Sequence, residues 1–198
     1  ENADRLIHDD REFWGLLYEF CLLAQEKRIE NGALNMARKE FEFDISNPEQ
    51  VGILKLNRNS PSSRIIEELA IAVNRETGCL FHEAEFPGIY RTQSSYKIVK
   101  EPEYENQQLP ENIRVEPARL TTIAGTHAGL GCEVYMHATS PIRRFVDLLT
   151  QHQLKNLIND EDPVYSLEDM MRWSDAITMR QRKYNRAEKN ILQYWKFK

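Results

Sequence analysis

Three long segments with apolar residues at helical spacing constrain the fold of this 198-residue chain. The pattern predicts helices over residues 9–30, 60–81 and 166–196. In the last helix, a series every seven residues is interpreted as core; it consists of Met170, Ile177, Tyr184 and Ile191. In the first helix, the apolar positions that predict one helix face are Phe13, Leu16, Leu17, Phe20, Leu23 and Ala24.

Shorter segments between these helices carry strand patterns. The predicted strands cover residues 41–46, 51–57, 88–99, 113–118 and 132–138. Asn47 and Pro48 predict a turn between the first two strands, and residues 101–112 predict a surface loop. Because no repeat or linker divides the chain, we predict one unit of the α+β class, with mixed helices and antiparallel strands.

Charge is distributed unevenly along the chain. The net charge of −5 and the pI of about 5.6 argue weakly against nucleic acid as a partner. Residues 171–198, however, carry eight Lys or Arg residues against two acids. Such a basic final helix presents either a local positive surface or an ordinary solvated face, and both interpretations stay open.

Cys21, Cys79 and Cys132 lie far apart and form no CxxC pair. This spacing argues against a zinc site and predicts free thiols in a reducing compartment, the cytoplasm first and an organelle second. No apolar run is long enough to span a bilayer, and the start carries no signal segment. Because the sequence begins without methionine, we expect a fragment or a processed product.

The sharpest local feature is HATSPIRRFVDLL, residues 137–149. Ser140 followed by Pro141 predicts a helix start that places Arg143 and Arg144 in the first turn. Cations are disfavoured there, because the positive end of the helix dipole lies at the same place. The apolar stripe that anchors this helix is predicted to be Ile142, Phe145, Val146 and Leu149.

Two interpretations account for this pair of arginines. Arg143 or Arg144 can form an intrahelical ion pair with Asp147, worth about 0.3–0.5 kcal/mol. Alternatively, the free N–H groups and a bidentate guanidinium bind a phosphate at the helix N-terminus. Local physical chemistry leaves the two interpretations level.

Two glutamates stand out on the other helices. Glu67 shares a helix face with Asn74, and it lacks the easy partner that Arg64 offers to Glu68. Glu188 borders the apolar series of the last helix. Each glutamate is either a site residue or part of an ordinary solvated or paired surface.

Metal-binding patterns are missing from the sequence. His127, His137 and His152 have no spacing typical of a metal site, so we interpret them as structural. Hydrolysis by two metal ions needs several converging carboxylates, and no such aspartate cluster occurs. Phosphate-binding glycine loops and nucleophile elbows are also absent from the sequence.

Residues 127–149, HAGLGCEVYMHATSPIRRFVDLL, resemble the C-terminal part of the RNB catalytic domain of the ribonuclease II and ribonuclease R family. The matching positions are His127, Gly129, Leu130, Tyr135, residues 139–144, Asp147 and Leu148. Three further stretches are similar to that family, namely NGALNM, SPSSRIIEELAIAVN and NRAEKNILQYW. The resemblance therefore extends over nearly all 198 residues.

The resemblance implies a hydrolytic 3′→5′ exoribonuclease that degrades single-stranded RNA to nucleoside 5′-monophosphates with magnesium. It implies that residues 1–198 form the C-terminal portion of an RNB domain, a sheet or barrel flanked by helices. The magnesium ligands and the OB-fold RNA-binding domains would then lie outside this chain. We expect the fragment alone to be inactive, to need the upstream part of the same polypeptide, and to be able to dimerise.

Site residues follow from the resemblance position by position. Arg143 matches the arginine that contacts the reacting phosphate, and it is the expected catalytic residue. Glu67 matches a glutamate that contacts the terminal ribose, and Glu188 matches one near the 3′ nucleotide. Arg144 and Thr139 are further candidates for RNA binding.

The sequence also departs from the family pattern. Met36 stands where many members have a phenylalanine that stacks on the last base, a contact worth about 1–3 kcal/mol. Phe145 replaces the usual tyrosine, and Gln151 with His152 replaces histidine–arginine. These departures keep two alternatives open: a non-catalytic RNA-binding module or pseudoenzyme, and an interaction domain with a basic last helix.

Overall fold

The structure is a computed structural model that describes residues 4–5, 9–34, 40–44, 52–56, 60–94, 96–98 and 113–197. Its contacts define two compact units, Glu1–Ala72 and Val73–Lys198. Each unit combines helices with short antiparallel strands, which confirms the α+β class. The predicted turn at Asn47 and Pro48 and the predicted loop over 101–112 lie outside the described residues.

The first unit contains a helix, a hairpin and the start of a second helix. A π-helical turn, Arg11–Gly15, leads into α1, Leu16–Glu30. Strands β1, Glu40–Asp44, and β2, Gly52–Leu56, pair antiparallel, as their alternating patterns predict. Helix α2, Pro61–Glu83, starts in this unit and confirms the second predicted helix.

The buried face of the first helical segment is only partly the predicted one, since of the predicted positions it contains Leu17. Trp14, Leu17 and Tyr18 pack against buried Cys21 and Ile65. Most of the predicted apolar face is exposed instead, namely Phe13, Leu16, Phe20 and Leu23. Both sets recur at helical spacing, so the position of Ile65 on α2 decides which of them is buried.

Glu68 on α2 forms a buried ion pair inside the first unit. Arg28 Nε donates to Glu68 Oε2 at 3.0 Å, and Arg28 Nη2 donates to the other carboxylate oxygen. The predicted pairing of Glu68 with Arg64 is therefore wrong. Arg28 reaches Glu68 from α1 with two nitrogens, and this bidentate geometry exceeds what a pair within one helix provides.

The second unit contains an interrupted hairpin. Strand β3, Tyr90–Thr92, pairs with β6, Arg119–Thr121, and β4, Tyr96–Ile98, pairs with β5, Ile113–Val115. The two antiparallel pairs are nested in the chain and form two separate two-stranded sheets. The predicted strand over 88–99 is thus split in two, and β6 was not predicted.

The predicted strand over 132–138 forms only isolated bridges at Cys132 and Met136. Its backbone packs against α2 instead, where Met136 N donates to the carbonyl oxygen of Asn74 at 3.3 Å. Gly78 allows this close approach, because a Cβ there would lie 3.0 Å from Val134 Cγ1. The segment therefore bonds both to β3, where Arg91 N donates to the Tyr135 carbonyl oxygen at 2.8 Å, and to the surface of α2.

Helices α3, Phe145–Ile158, and α4, Leu167–Phe197, complete the second unit. Their buried cluster consists of Ile89, Val146, Leu149 and Met170. Tyr184 and Ile191 are exposed, so the series on α4 is core only at its beginning. Among the residues that the structure describes, no helix combines the length and the hydropathy needed to cross a membrane.

Gly88 supports a dense part of the second core. A Cβ at this position would lie 2.7 Å from both Met136 Cε and Phe81 Cδ1. We expect Gly88→Ala to lower the free energy of unfolding by about 1–3 kcal/mol through overpacking. Urea unfolding measures this, with Gly125→Ala as the control, since its nearest neighbour, Thr92 Cγ2, lies at 3.4 Å. Equal losses in both variants would contradict the packing argument.

Candidate anion-binding loop

Helix α3 begins later than the sequence predicts. It starts at Phe145, and Arg144 is an extended N-cap residue with φ −123° and ψ 115°. Before it, the N–H groups of Arg143 and Arg144 donate to the Ser140 carbonyl oxygen at 3.3 and 3.0 Å. Ser140 is therefore not the N-cap, and both arginines precede the helix.

The later start also changes the predicted apolar stripe. Val146 and Leu149 are buried as predicted, but Ile142 is fully exposed and Phe145 is 46% exposed. Ile142 lies in the turn before the helix, so helical spacing does not apply to it. Phe145 makes an edge-on contact with Trp173 at a centroid distance of 5.1 Å.

Asp147 ties the start of α3 to the preceding turn. Its carboxylate is fully buried, and Oδ1 accepts from Ser140 N at 2.8 Å and from Arg144 Nη2 at 2.7 Å. Of the two predicted partners, Arg144 therefore forms the ion pair with Asp147, and Arg143 does not. The extended backbone of Arg144 brings its guanidinium to the carboxylate from outside the helix.

Residues 139–144 form a short surface segment, the arginine loop, that brings three predicted site residues together. Arg143 is exposed, and its Nη2 lies 3.4 Å from Ser140 Oγ. Arg144 Nη2 lies 3.5 Å from the hydroxyl oxygen of Thr139. Within the described part of the chain, no carboxylate pairs with Arg143, so its charge remains available to an anion.

Side chains from two helices hold the residues just before the arginine loop. Asn74 Oδ1 accepts from Ala138 N at 2.8 Å, and Gln151 Nε2 donates to the Ala138 carbonyl oxygen at 2.7 Å. Asn74 Nδ2 donates to Tyr135 Oη at 2.9 Å and to Thr139 Oγ1 at 3.4 Å. The loop therefore rests on a buried polar network.

Two buried histidines lie behind this network. Arg91 Nη1 lies 3.1 Å from His137 Nε2, which must accept because a guanidinium only donates. Burial, and then the nearby Arg144 and Arg91 charges, lower the pKa of His137 to about 3. Burial and then Arg91 lower the pKa of His127 to about 4. Both rings are therefore neutral at pH 7 and add no charge to the loop.

These histidines predict a loss of stability in acid. Because their pKa values in the folded protein lie below the ordinary 6.5, the unfolded chain binds more protons between about pH 4 and 6.5. Lowering the pH from 7 to 5 should therefore cost about 1–2 kcal/mol from each histidine. Urea unfolding at both pH values measures this loss.

His137→Gln is expected to reduce this acid loss, because it removes one of the two groups that must charge. His152→Gln, at an exposed position on α3, is the control and is expected to keep the wild-type loss. A full wild-type loss in His137→Gln would contradict the assignment of the effect to His137.

The remaining predicted site residues are not part of this loop. Glu67 is exposed on α2 in the first unit, and Glu188 is exposed on α4. Met36 lies outside the described residues. The described basic residues of α4 from Arg180 to Lys189 are also exposed, as a solvated or ligand-binding face requires.

Sequence reasoning missed the roles of Asn74 and Arg91. The signal for Asn74 is that a polar residue lies on an apolar helix face, which indicates a buried hydrogen-bonding role. The prediction used only the helix face that Asn74 shares with Glu67. The signal for Arg91 was a cation inside a strand pattern. No group of three His, Cys, Asp or Glu residues in the described part of the chain is arranged to hold a metal ion.

Known ribonucleases are similar in sequence to most of this chain. Exoribonuclease 2 of Vibrio parahaemolyticus is 22% identical over 210 residues, which cover 88% of this chain and 31% of the relative. Ribonuclease II, chloroplastic/mitochondrial, of Arabidopsis thaliana is 22% identical over 98% of this chain and 26% of the relative. The chain thus spans about a third or less of these relatives.

Solved structures share the fold. RNase R of Mycoplasma genitalium, in complex with ribose methylated single-stranded RNA, matches 90% of this chain and 34% of that chain, with a TM-score of 0.73 and 16% identity. Dss1 exoribonuclease of Candida glabrata matches 85% of this chain and 24% of that chain, with a TM-score of 0.69 and 19% identity. The family model for the RNB domain matches residues 10–119 and 94–160. The chain therefore belongs to the RNB domain family.

Proposed function

We propose that these 198 residues are the C-terminal portion of the RNB domain of a hydrolytic 3′→5′ exoribonuclease that acts on single-stranded RNA. Family membership and the exoribonuclease names of the relatives support the reaction class. The observation that best supports the proposal is the arginine loop, in which the Arg143 guanidinium is exposed and a buried polar network holds the preceding residues. Such an arrangement is more typical of a loop that binds an RNA phosphate than of an ordinary surface turn.

In this proposal Arg143 is the catalytic residue of the chain. Its guanidinium can bind two phosphate oxygens at once and oppose the charge that develops during phosphodiester hydrolysis. Arg144 already donates a hydrogen bond from Nη2 to Asp147, so fewer of its N–H groups remain for a phosphate. We therefore assign Arg144 and Thr139 to orienting the same phosphate or its neighbour.

Three further residues are proposed to contact the 3′ end of RNA. Glu67 would accept a hydrogen bond from the 2′-hydroxyl of the terminal ribose, a group that DNA lacks. Glu188 would lie near the last nucleotide. Met36 would contact the last base through apolar surface, without the flat face of an aromatic ring. The exposure of Glu67 and Glu188 supports this assignment, because both carboxylates are accessible.

Magnesium is proposed to take part in the reaction of the full enzyme. Its ligands are proposed to lie elsewhere in the same polypeptide, as the resemblance to the ribonuclease II and ribonuclease R family implies. The residues of this chain bind and orient RNA, and product release as nucleoside 5′-monophosphates is proposed for the full enzyme.

The upstream part of the same polypeptide is the proposed partner of this chain. The exposed apolar face of α1, with Phe13, Leu16, Phe20 and Leu23, supports such a partner, since large apolar patches mark interaction surfaces. We expect the isolated chain to be inactive and to be able to dimerise. The three cysteines are free thiols, which supports a reducing compartment, the cytoplasm or an organelle.

A direct test uses the full-length polypeptide with magnesium and a 5′-labelled single-stranded RNA. We expect stepwise shortening from the 3′ end with release of mononucleotides, and no shortening of DNA of the same sequence. RNA binding without mononucleotide release would identify a pseudoenzyme and refute the exoribonuclease proposal. Absence of any salt-dependent RNA binding would favour an interaction domain instead.

A further inference from the structure

Asn74 is a buried amide in the middle of α2 whose partners all lie on one other segment. Its side chain bonds Ala138 N, Tyr135 Oη and Thr139 Oγ1. The side chain is 2% exposed. A buried amide costs free energy unless its groups are paired, and a hydrocarbon side chain would suit a helix core better. The bonds to residues 135–139 therefore explain why an amide lies here.

The segment that Asn74 holds lacks a continuous strand ladder. Between Cys132 and Met136 it has only isolated bridges, and the Ala138 N–H is bonded to the Asn74 side chain. This segment leads directly into the arginine loop. Two side chains of α3 hold it as well: Gln151 donates to the Ala138 carbonyl oxygen, and Asp147 accepts from the Ser140 N–H two residues further on. The backbone before Arg143 is therefore held by three side chains from two helices.

We propose that Asn74 is a positioning residue for the arginine loop. By holding Ala138 and Thr139, it places the loop so that Arg143 and Arg144 bind one phosphate together. Asn74 does not touch the RNA itself. This inference rests on the proposed exoribonuclease function, and it adds a residue on α2 that controls the phosphate-binding geometry.

The test compares Asn74→Leu with Asn74→Asp in the full-length polypeptide. Leucine loses all three bonds, whereas aspartate keeps the acceptor for Ala138 N, and the two hydroxyls can turn to donate to it. We expect Asn74→Leu to lower kcat for mononucleotide release at least tenfold, with KM changed less than about threefold. Asn74→Asp is expected to recover most of this loss.

Gln153→Met is the matched control for lost stability. Gln153 is fully buried on α3, where its side chain bonds Pro87 O, Tyr165 O and Tyr165 N rather than the loop. We expect this variant to lower the urea midpoint but to keep kcat within about twofold of wild type. An equal loss of kcat in both Gln153→Met and Asn74→Leu would overturn the positioning role.

Hydrogen exchange separates this inference from the proposed function. In Asn74→Leu, the amides of residues 138–140 and 142–144 are expected to exchange at least tenfold faster, whereas Gln153→Met keeps their wild-type rates. Unchanged exchange in Asn74→Leu would overturn the positioning role, even with reduced activity. A wild-type polypeptide that releases no mononucleotide would refute the proposed reaction, and faster exchange would then still support the loop-holding role.

Discussion

Arg143→Ala is expected to lower kcat for mononucleotide release by about 100- to 1,000-fold in the full-length polypeptide. Loss of one preorganised donor to developing charge typically costs this much. RNA affinity should fall less than tenfold, because many other phosphates of a single strand remain bound. The salt dependence of binding should decrease by about 0.7 in slope, the value for one phosphate contact. Single-turnover kinetics and RNA binding at several salt concentrations measure these effects separately.

Arg172→Ala is the control for the charge of Arg143. Arg172 is an exposed arginine on α4 that donates to Asp169 at 2.8 Å. Its replacement should leave kcat within about twofold of wild type. A wild-type kcat in Arg143→Ala would refute the catalytic assignment. A loss confined to RNA affinity would make Arg143 a binding residue only.

Asp147→Asn should lower the free energy of unfolding by about 2–3 kcal/mol. The fully buried carboxylate of Asp147 accepts from Ser140 N and from Arg144, whose side chain is 28% exposed. The amide removes the charge that offsets the Arg144 guanidinium. Its oxygen can still accept from Ser140 N and Arg144 at the place of Oδ1, but its NH2 group is buried at the place of Oδ2, which has no hydrogen-bond partner among the described residues. Urea unfolding, with the m-value checked for constancy, measures this effect.

Asp169→Asn provides a matched comparison. Asp169 also pairs with an arginine three residues away, but that pair is exposed to solvent. Exposed pairs contribute little to stability, so the loss in the free energy of unfolding is expected to be clearly smaller than in Asp147→Asn. Equal losses in the two variants would show that the burial of Asp147 does not determine its contribution.

Much of the local structure could be predicted from the sequence. The helices at 61–83 and 167–197 and the hairpin of β1 and β2 lie within a few residues of the predicted positions. These elements are encoded by spacing along the chain, which is a local property. The RNB family was likewise predicted from the order and spacing of residues 127–149, and the family match confirms it.

Choices between equivalent local solutions could not be predicted. The stripe with Phe13 and the stripe with Trp14 both satisfy helical spacing on α1, and only the position of Ile65 buries the second. Glu68 could pair with Arg64 along the helix, but Arg28 reaches it from another helix. In both cases a residue distant in sequence decides the outcome, and local spacing contains no information about it.

The sequence by itself determined that a serine, a proline and two arginines would lie together at the start of an amphipathic helix with an acid at Asp147. The tertiary structure decided that the helix begins at Phe145 and that Arg144 pairs with Asp147. The physical reason is burial, because a fully buried carboxylate needs a charged partner. The extended backbone of Arg144 places its guanidinium next to this carboxylate. Arg143 is thereby left exposed, with its guanidinium directed to solvent and accessible to an anion.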